Sequence, residues 1–217
     1  MPSVHIHHVH LLLIAQTAAK RAVEDAKRPN ALTDDSLIAI VVAATAAEAF
    51  INELSYYLQL LGDTRAHWAP IGSILLACAN VIDEVEVARG PLQEKYLAAS
   101  SALSGTAFDK GTSAFQDFEI LIKLRNAIVH LKPGDAAGLK WTDVLATRDL
   151  ALSASTHLHW FDRLLIPANA AWAVQTARHM MLRILEMAPR QYDTKELEPL
   201  IGWEELLREH PGFAETR

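Results

Sequence analysis

One cysteine, Cys78, is the whole thiol content of this 217-residue chain. It excludes an internal disulfide and a thiolate zinc site, and it fits a reducing compartment. Nine glycines and nine prolines are too few for a turn-rich all-β chain, while 35 alanines favour helices. Long hydrophobic runs are missing as well. The longest, Leu37 to Ala47, contains Thr45 and ends at Glu48. A bilayer span needs about 20 residues, so this run reads as a core helix segment. The apolar stretch Leu11 to Ala15 has no basic region before it and makes no convincing secretory signal. No G-x-S-x-G, P-loop or dinucleotide-binding glycine pattern occurs. The expectation is a soluble, cytoplasmic protein with no membrane partner.

Apolar residues make up 51% of the chain and charged residues 21%, which excludes wholesale disorder. The formal charge of −6 argues against bulk electrostatic capture of nucleic acid. That charge is uneven. Residues 120–141 hold Lys123, Arg125, Lys132 and Lys140 against Asp135 alone, whereas residues 191–217 hold seven acids against three bases. A local anion site near the first of these segments remains compatible with the acidic total.

Nearly every segment reads as helix. The first is expected from about His8 to Lys27. The second starts after Thr33, with Asp34 and Asp35 at its positive end, and Gly62 is its expected stop. A third runs from about Ile71 to Arg89, with Ile74, Leu75, Cys78, Val81 and Ile82 inward. Pro91 suits the first position of a fourth, ending near Leu103. A fifth is capped by Thr112 or Ser113 and runs to about Leu131, because Lys132 precedes Pro133. A short helix near Trp141 to Leu150 and a long one from Pro167 to Met187 follow. The pattern is all-α: an antiparallel bundle of four to five main helices with short extra ones. It forms one helical domain over residues 1–189. Residues 190–217 read as an acidic tail, at the surface or partly mobile.

Lys123, Arg125, Asn126 and His130 interrupt the otherwise apolar run from Ile120 to Leu131. Polar groups in so apolar a helix need partners if they are buried. Asn126 and His130, four apart, share one helix face. Arg125 and His130 lie about 140° apart around an ideal helix, so they would flank a groove rather than touch. Two copies of such a helix meeting across a two-fold axis would bring two arginines and two histidines to one cleft. An arginine fork can hold a phosphate and stabilise charge developing at phosphorus. Histidine can move a proton near neutral pH. The competing reading is structural: Arg125 pairs with an acid such as Glu48, and His130 caps the helix end.

Arg125-Asn126-x-x-x-His130, late in a helix with Lys-Pro just after it, resembles the R-N-x-x-x-H signature of the HEPN superfamily. The earlier segment Ala47-Glu48-Ala49-Phe50-Ile51-Asn52-Glu53-Leu54 is similar to the helix preceding that signature in many bacterial members. The resemblance covers residues 34–187 by element order, and residues 135–166 are longer than a minimal HEPN core needs. It implies a dimeric all-α bundle. For many members it also implies a metal-independent endoribonuclease of toxin–antitoxin, phage-defence or RNA-processing systems. Arg125 and His130 match the catalytic pair, and Asn126 matches its polar neighbour. Glu48 is a candidate to orient Arg125, and Lys123 and Lys132 are candidates to bind phosphate. No cofactor is expected. The expected partners are RNA or a nucleotide, a second copy, and an antitoxin or regulatory protein. The alternative is a non-catalytic module of the same fold that binds nucleotide, RNA or a partner protein.

Other features have cheaper readings. His5, His7, His8 and His10 invite a metal, yet no Cys, Asp or Glu lies among them to complete a fixed site, so none is expected. Glu48 and Asn52, four apart, form either a pair that supports Arg125 or an ordinary polar stripe. His157 and His159 precede Trp160 and have no carboxylate at helical spacing. Trp172, Ala173, Thr176, Met180 and Ile184 repeat at helical spacing, as a core or dimer seam would. Cys78 lies on an apolar helix, as an inert core residue.

Overall fold

The computed structural model describes residues 6–26, 33–64, 71–130, 162, 164–188 and 198–210. Every regular element among them is a helix. The chain forms an all-α bundle, as its composition and periodicity imply. In order the elements are α1 (His7–Asp25), α2 (Asp34–Thr64), α3 (Ile71–Val87), α4 (Leu92–Ser104), α5 (Ser113–Val129), α6 (Pro167–Glu186) and α7 (Glu198–Glu209). The short helix expected near Trp141 to Leu150, the turn at Lys132-Pro133, His157 and His159 lie outside the described residues.

Helix α2 is the axis of the bundle. Its alanines Ala39, Ala43, Ala44, Ala46 and Ala47 are fully buried. Side chains this small let α1, α3 and α6 lie close along it. The larger Ile40, Phe50, Ile51, Leu54 and Leu58 then fill the spaces between helices. Within its 31 residues, Asp34–Gly62 is long and apolar enough to cross a membrane. Here about half of that window is buried against the other helices, and Glu48 and Glu53 interrupt the helix. Side-chain ties show neighbouring helices running antiparallel. His8 near the start of α1 meets Glu53 late in α2. Ser55 and Gln59 of α2 hold the two oxygens of Asp83 on α3.

Several helix ends differ from the sequence expectation. Gly62 does not stop α2, which continues to Thr64. Glycine there removes a Cβ that would overlap Leu76 of α3, so it serves close packing instead. Pro91 is the cap before α4 rather than its first residue, because its ψ of 153° is extended. The true helix-closing glycine is Gly105, left-handed at φ 75° after α4. Thr112 caps α5, its hydroxyl accepting from the Phe115 N–H at 3.4 Å.

The acidic tail contains a core helix. In α7, Leu200, Trp203 and Leu207 are buried, and Glu198, Glu205 and Glu209 are exposed. Trp203 meets His8, Phe50 and Tyr57 at ring-centroid separations of 4.9, 6.3 and 5.5 Å. The Arg178 guanidinium of α6 donates to the carbonyls of Leu207 and Arg208, satisfying the last turn of α7. Net charge over the segment concealed an apolar face only three residues wide.

Candidate functional site

Helix α5 is seated by Phe115, Phe118, Leu121, Ile122 and Leu124, all buried. Ile128, the next member of that stripe, is partly buried, and Val129 is exposed. Burial thins along the last turn, although Ala127 and Ile128 still pack against the core. Arg125 lies at the boundary, with a side-chain exposure of 20%, and Asn126 and His130 are exposed on the face of Lys123.

Arg125 reaches across to α2, where its guanidinium donates from Nη2 to Oε2 of Glu48. Its Nε is buried and has no hydrogen-bond partner among the described residues. Glu48 keeps 44% exposure, so the pair is open to solvent on one side. The carboxylate is itself placed by packing. Tyr96 of α4 donates its hydroxyl to the carbonyl of Ala47 at 2.9 Å and packs against Phe118 of α5, ring centroids 4.6 Å apart and planes tilted by 55°. One buried ring thus spaces α2 from α5 beside the ion pair. Burial pushes the Tyr96 hydroxyl well above its usual pKa, so it remains a donor.

His130 is the C-terminal cap of α5. Its N–H donates to the Asn126 carbonyl at 3.0 Å, and its φ of −109° and ψ of 31° leave the helix. Among the described residues its imidazole makes no hydrogen bond with Arg125. Lys123 is exposed and carries an i,i+4 pair with Glu119 at 3.5 Å. Lys132 lies outside the described residues. Asn52 does not join Glu48 in supporting Arg125. It accepts a hydrogen bond from Lys95 of α4 at 2.7 Å.

Two features escaped sequence reasoning. Lys95 is 3% exposed, and besides Asn52 it pairs with Glu86 of α3. Its position amid Leu92, Tyr96 and Leu97 was the available signal, since a lysine there enters the apolar face of α4. His8 is a core residue. It is fully buried, and its Nδ1 lies 2.6 Å from Glu53. Among the described residues no group of three His, Cys, Asp or Glu side chains could hold a metal. Cys78 is buried, and desolvation pushes its thiol up to about 12, so the inert reading fits its surroundings.

Chemically, the end of α5 offers one guanidinium with a part-exposed edge, one amide and one imidazole. A guanidinium can hold a phosphate oxygen, and an imidazole can give or take a proton. Glu48 takes up part of the Arg125 charge and fixes its direction. No family model matches the chain, and neither a curated protein nor a solved structure matches it.

Proposed function

We propose that the chain is a HEPN-type endoribonuclease acting in the cytoplasm as a homodimer. The observation that carries the reading is Arg125, held by Glu48 beside the exposed Asn126 and His130 at the end of α5. The R-N-x-x-x-H spacing supplies the resemblance, and the Glu48–Arg125 pair beside exposed Asn126 and His130 supports it.

In this reading Arg125 binds the scissile phosphate and stabilises the charge that builds on its oxygens. His130 moves the proton as general acid or base. The ribose 2′-hydroxyl loses its proton and its oxygen bonds to phosphorus. The bond from phosphorus to the 5′-oxygen breaks, and that oxygen takes up a proton. The products are a 2′,3′-cyclic phosphate and a 5′-hydroxyl. The nucleophile belongs to the RNA, so the route needs no metal-bound water. Asn126 fixes the motif, Glu48 orients Arg125, and Lys123 with Lys132 attracts the RNA backbone. A toxin–antitoxin or phage-defence setting, with an antitoxin partner, follows from the family resemblance.

The test is RNA cleavage in EDTA by the wild type beside Arg125→Ala and His130→Ala, with folding checked by circular dichroism. The wild type is expected to cut RNA and spare DNA of the same sequence. Each variant is expected to lose at least about 100-fold in rate. Intact RNA with the wild type, or equal cutting by all three, overturns the proposal. The charge on Arg125, partly neutralised by Glu48 in a chain of net charge −6, favours one second reading: a non-catalytic module of this fold. Its mark is salt-dependent RNA binding without cleavage.

A further inference from the structure

The opposite end of α5 carries a second cleft. It opens between the loop after α4, the first turn of α5 and the last turns of α6, with a volume of about 340 Å³. That lies within the ~300–1,000 Å³ typical of small-molecule sites. Phe108, Phe115, Met180 and Met187 give it apolar walls. The two phenylalanine rings stand 6.4 Å apart at 41°, and Phe115 and Met180 are almost fully buried.

The loop is pinned in place. Phe108 donates its N–H to Ser100 Oγ at 3.0 Å, and Thr112 donates its hydroxyl to the Asp109 carbonyl at 2.8 Å. Asp109, the one acid lining the cleft among the described residues, accepts at its Oδ1 from the Gly111 N–H at 2.8 Å. Across from it, His179 and Arg183 sit four apart on α6 and are both exposed. Among the described residues neither has an ion-pair or hydrogen-bond partner. His179 also lines an adjoining recess with Trp172, whose indole Nε1 is buried without a hydrogen-bond partner among the described residues. A buried donor without an acceptor is costly unless something fills the role.

We infer that this cleft binds a small amphipathic anion, its flat apolar body against Phe108, Phe115 and the methionines and its acidic group at Arg183 and His179. Methionines adapt to a planar body, and arginine fixes a carboxylate or sulfonate by paired hydrogen bonds. The positive end of α5 adds attraction for negative charge. The site is independent of the proposed nuclease residues. Phe115 and His130 are separated by roughly 22 Å along the helix.

The probe is 2-naphthoate, with 2-naphthylmethanol as its neutral counterpart, titrated against the full chain by calorimetry or ligand-observed NMR. Saturable one-to-one binding of 2-naphthoate is expected. Arg183→Gln, an exposed position, is expected to weaken it about tenfold and to leave the alcohol unchanged. Naphthoate that does not saturate by about 5 mM, or that binds wild type and Arg183→Gln equally, overturns the inference. Cleavage assays at the other end of α5 read none of this, so either proposal can fail alone.

Discussion

Arg125 and Glu48 stand 77 positions apart in the chain and meet where α5 crosses α2. The pair is only partly buried, so its worth to stability is about 1 kcal/mol or less. Its larger consequence is direction. With Nε enclosed and Nη2 on Glu48, the guanidinium has a fixed plane. Glu48→Gln keeps the shape and removes the charge. In the nuclease reading it lowers kcat about tenfold with little change in KM, while the urea midpoint barely moves. Faster cleavage by Glu48→Gln would instead make Glu48 a brake on Arg125.

Lys95 provides a test through pH. The hydrogen bond from Lys95, and then its charge, hold the Glu86 carboxyl below its ordinary 4.5. The folded value is lower than the unfolded one. The contribution is therefore complete above about pH 4.5 and is lost as pH falls through the lowered folded value. Lys95→Met fits the same apolar corridor without the charge. It is expected to return Glu86 to the ordinary carboxylate range by NMR titration, with only a slight change in the acid limb of the stability curve because Glu86 is exposed. An unchanged Glu86 titration would dismiss the coupling.

Gly62 reverses the usual ranking of glycine and alanine in a helix. Alanine would normally gain about 1 kcal/mol in a helix interior. Here the added methyl meets Leu76 of α3. Gly62→Ala is expected to lower stability by about 1–3 kcal/mol in urea unfolding. Leu76→Ala placed beside it should recover part of that loss, a non-additivity that marks a shared contact. A stabilised single variant would mean that Leu76 yields without cost.

Much of this architecture was legible because alanine-rich, apolar residues recur at helical spacing. Phe118, Leu121 and Leu124 read as one stripe and are buried together. The Arg125 partner was legible too, since Glu48 interrupts the most apolar run in the chain and an acid there invites a cation. Other features depended on distances that no local pattern encodes. Gly62 looked like a stop because its packing partner is on another helix. Asn52 shares a face with Glu48, yet Lys95 of α4 claims it. The histidine-rich N-terminus drew attention to metals, although His8 is a core residue whose neighbours lie about 45 and 195 positions away.

Those neighbours make the sharpest stability prediction. His8 has no exposed surface, bonds Glu53 through Nδ1, and lies edge-on to Phe50 at 5.1 Å and Trp203 at 4.9 Å. It joins the start of α1 to α2 and α7 at one point. Trp203→Ala empties that junction and is expected to cost about 3–5 kcal/mol, the usual range for a buried tryptophan. His8→Ala leaves the Glu53 carboxylate, which is 16% exposed, with the His7 N–H at 3.0 Å but without its imidazole partner, and is expected to cost about 1–3 kcal/mol. Because the two rings touch, the double variant should cost less than the sum of the single ones. Simple additivity in urea unfolding would mean that α7 docks independently of His8. A sub-additive result would tie the acidic C-terminal helix to the same cooperative unit as the α1–α2 core.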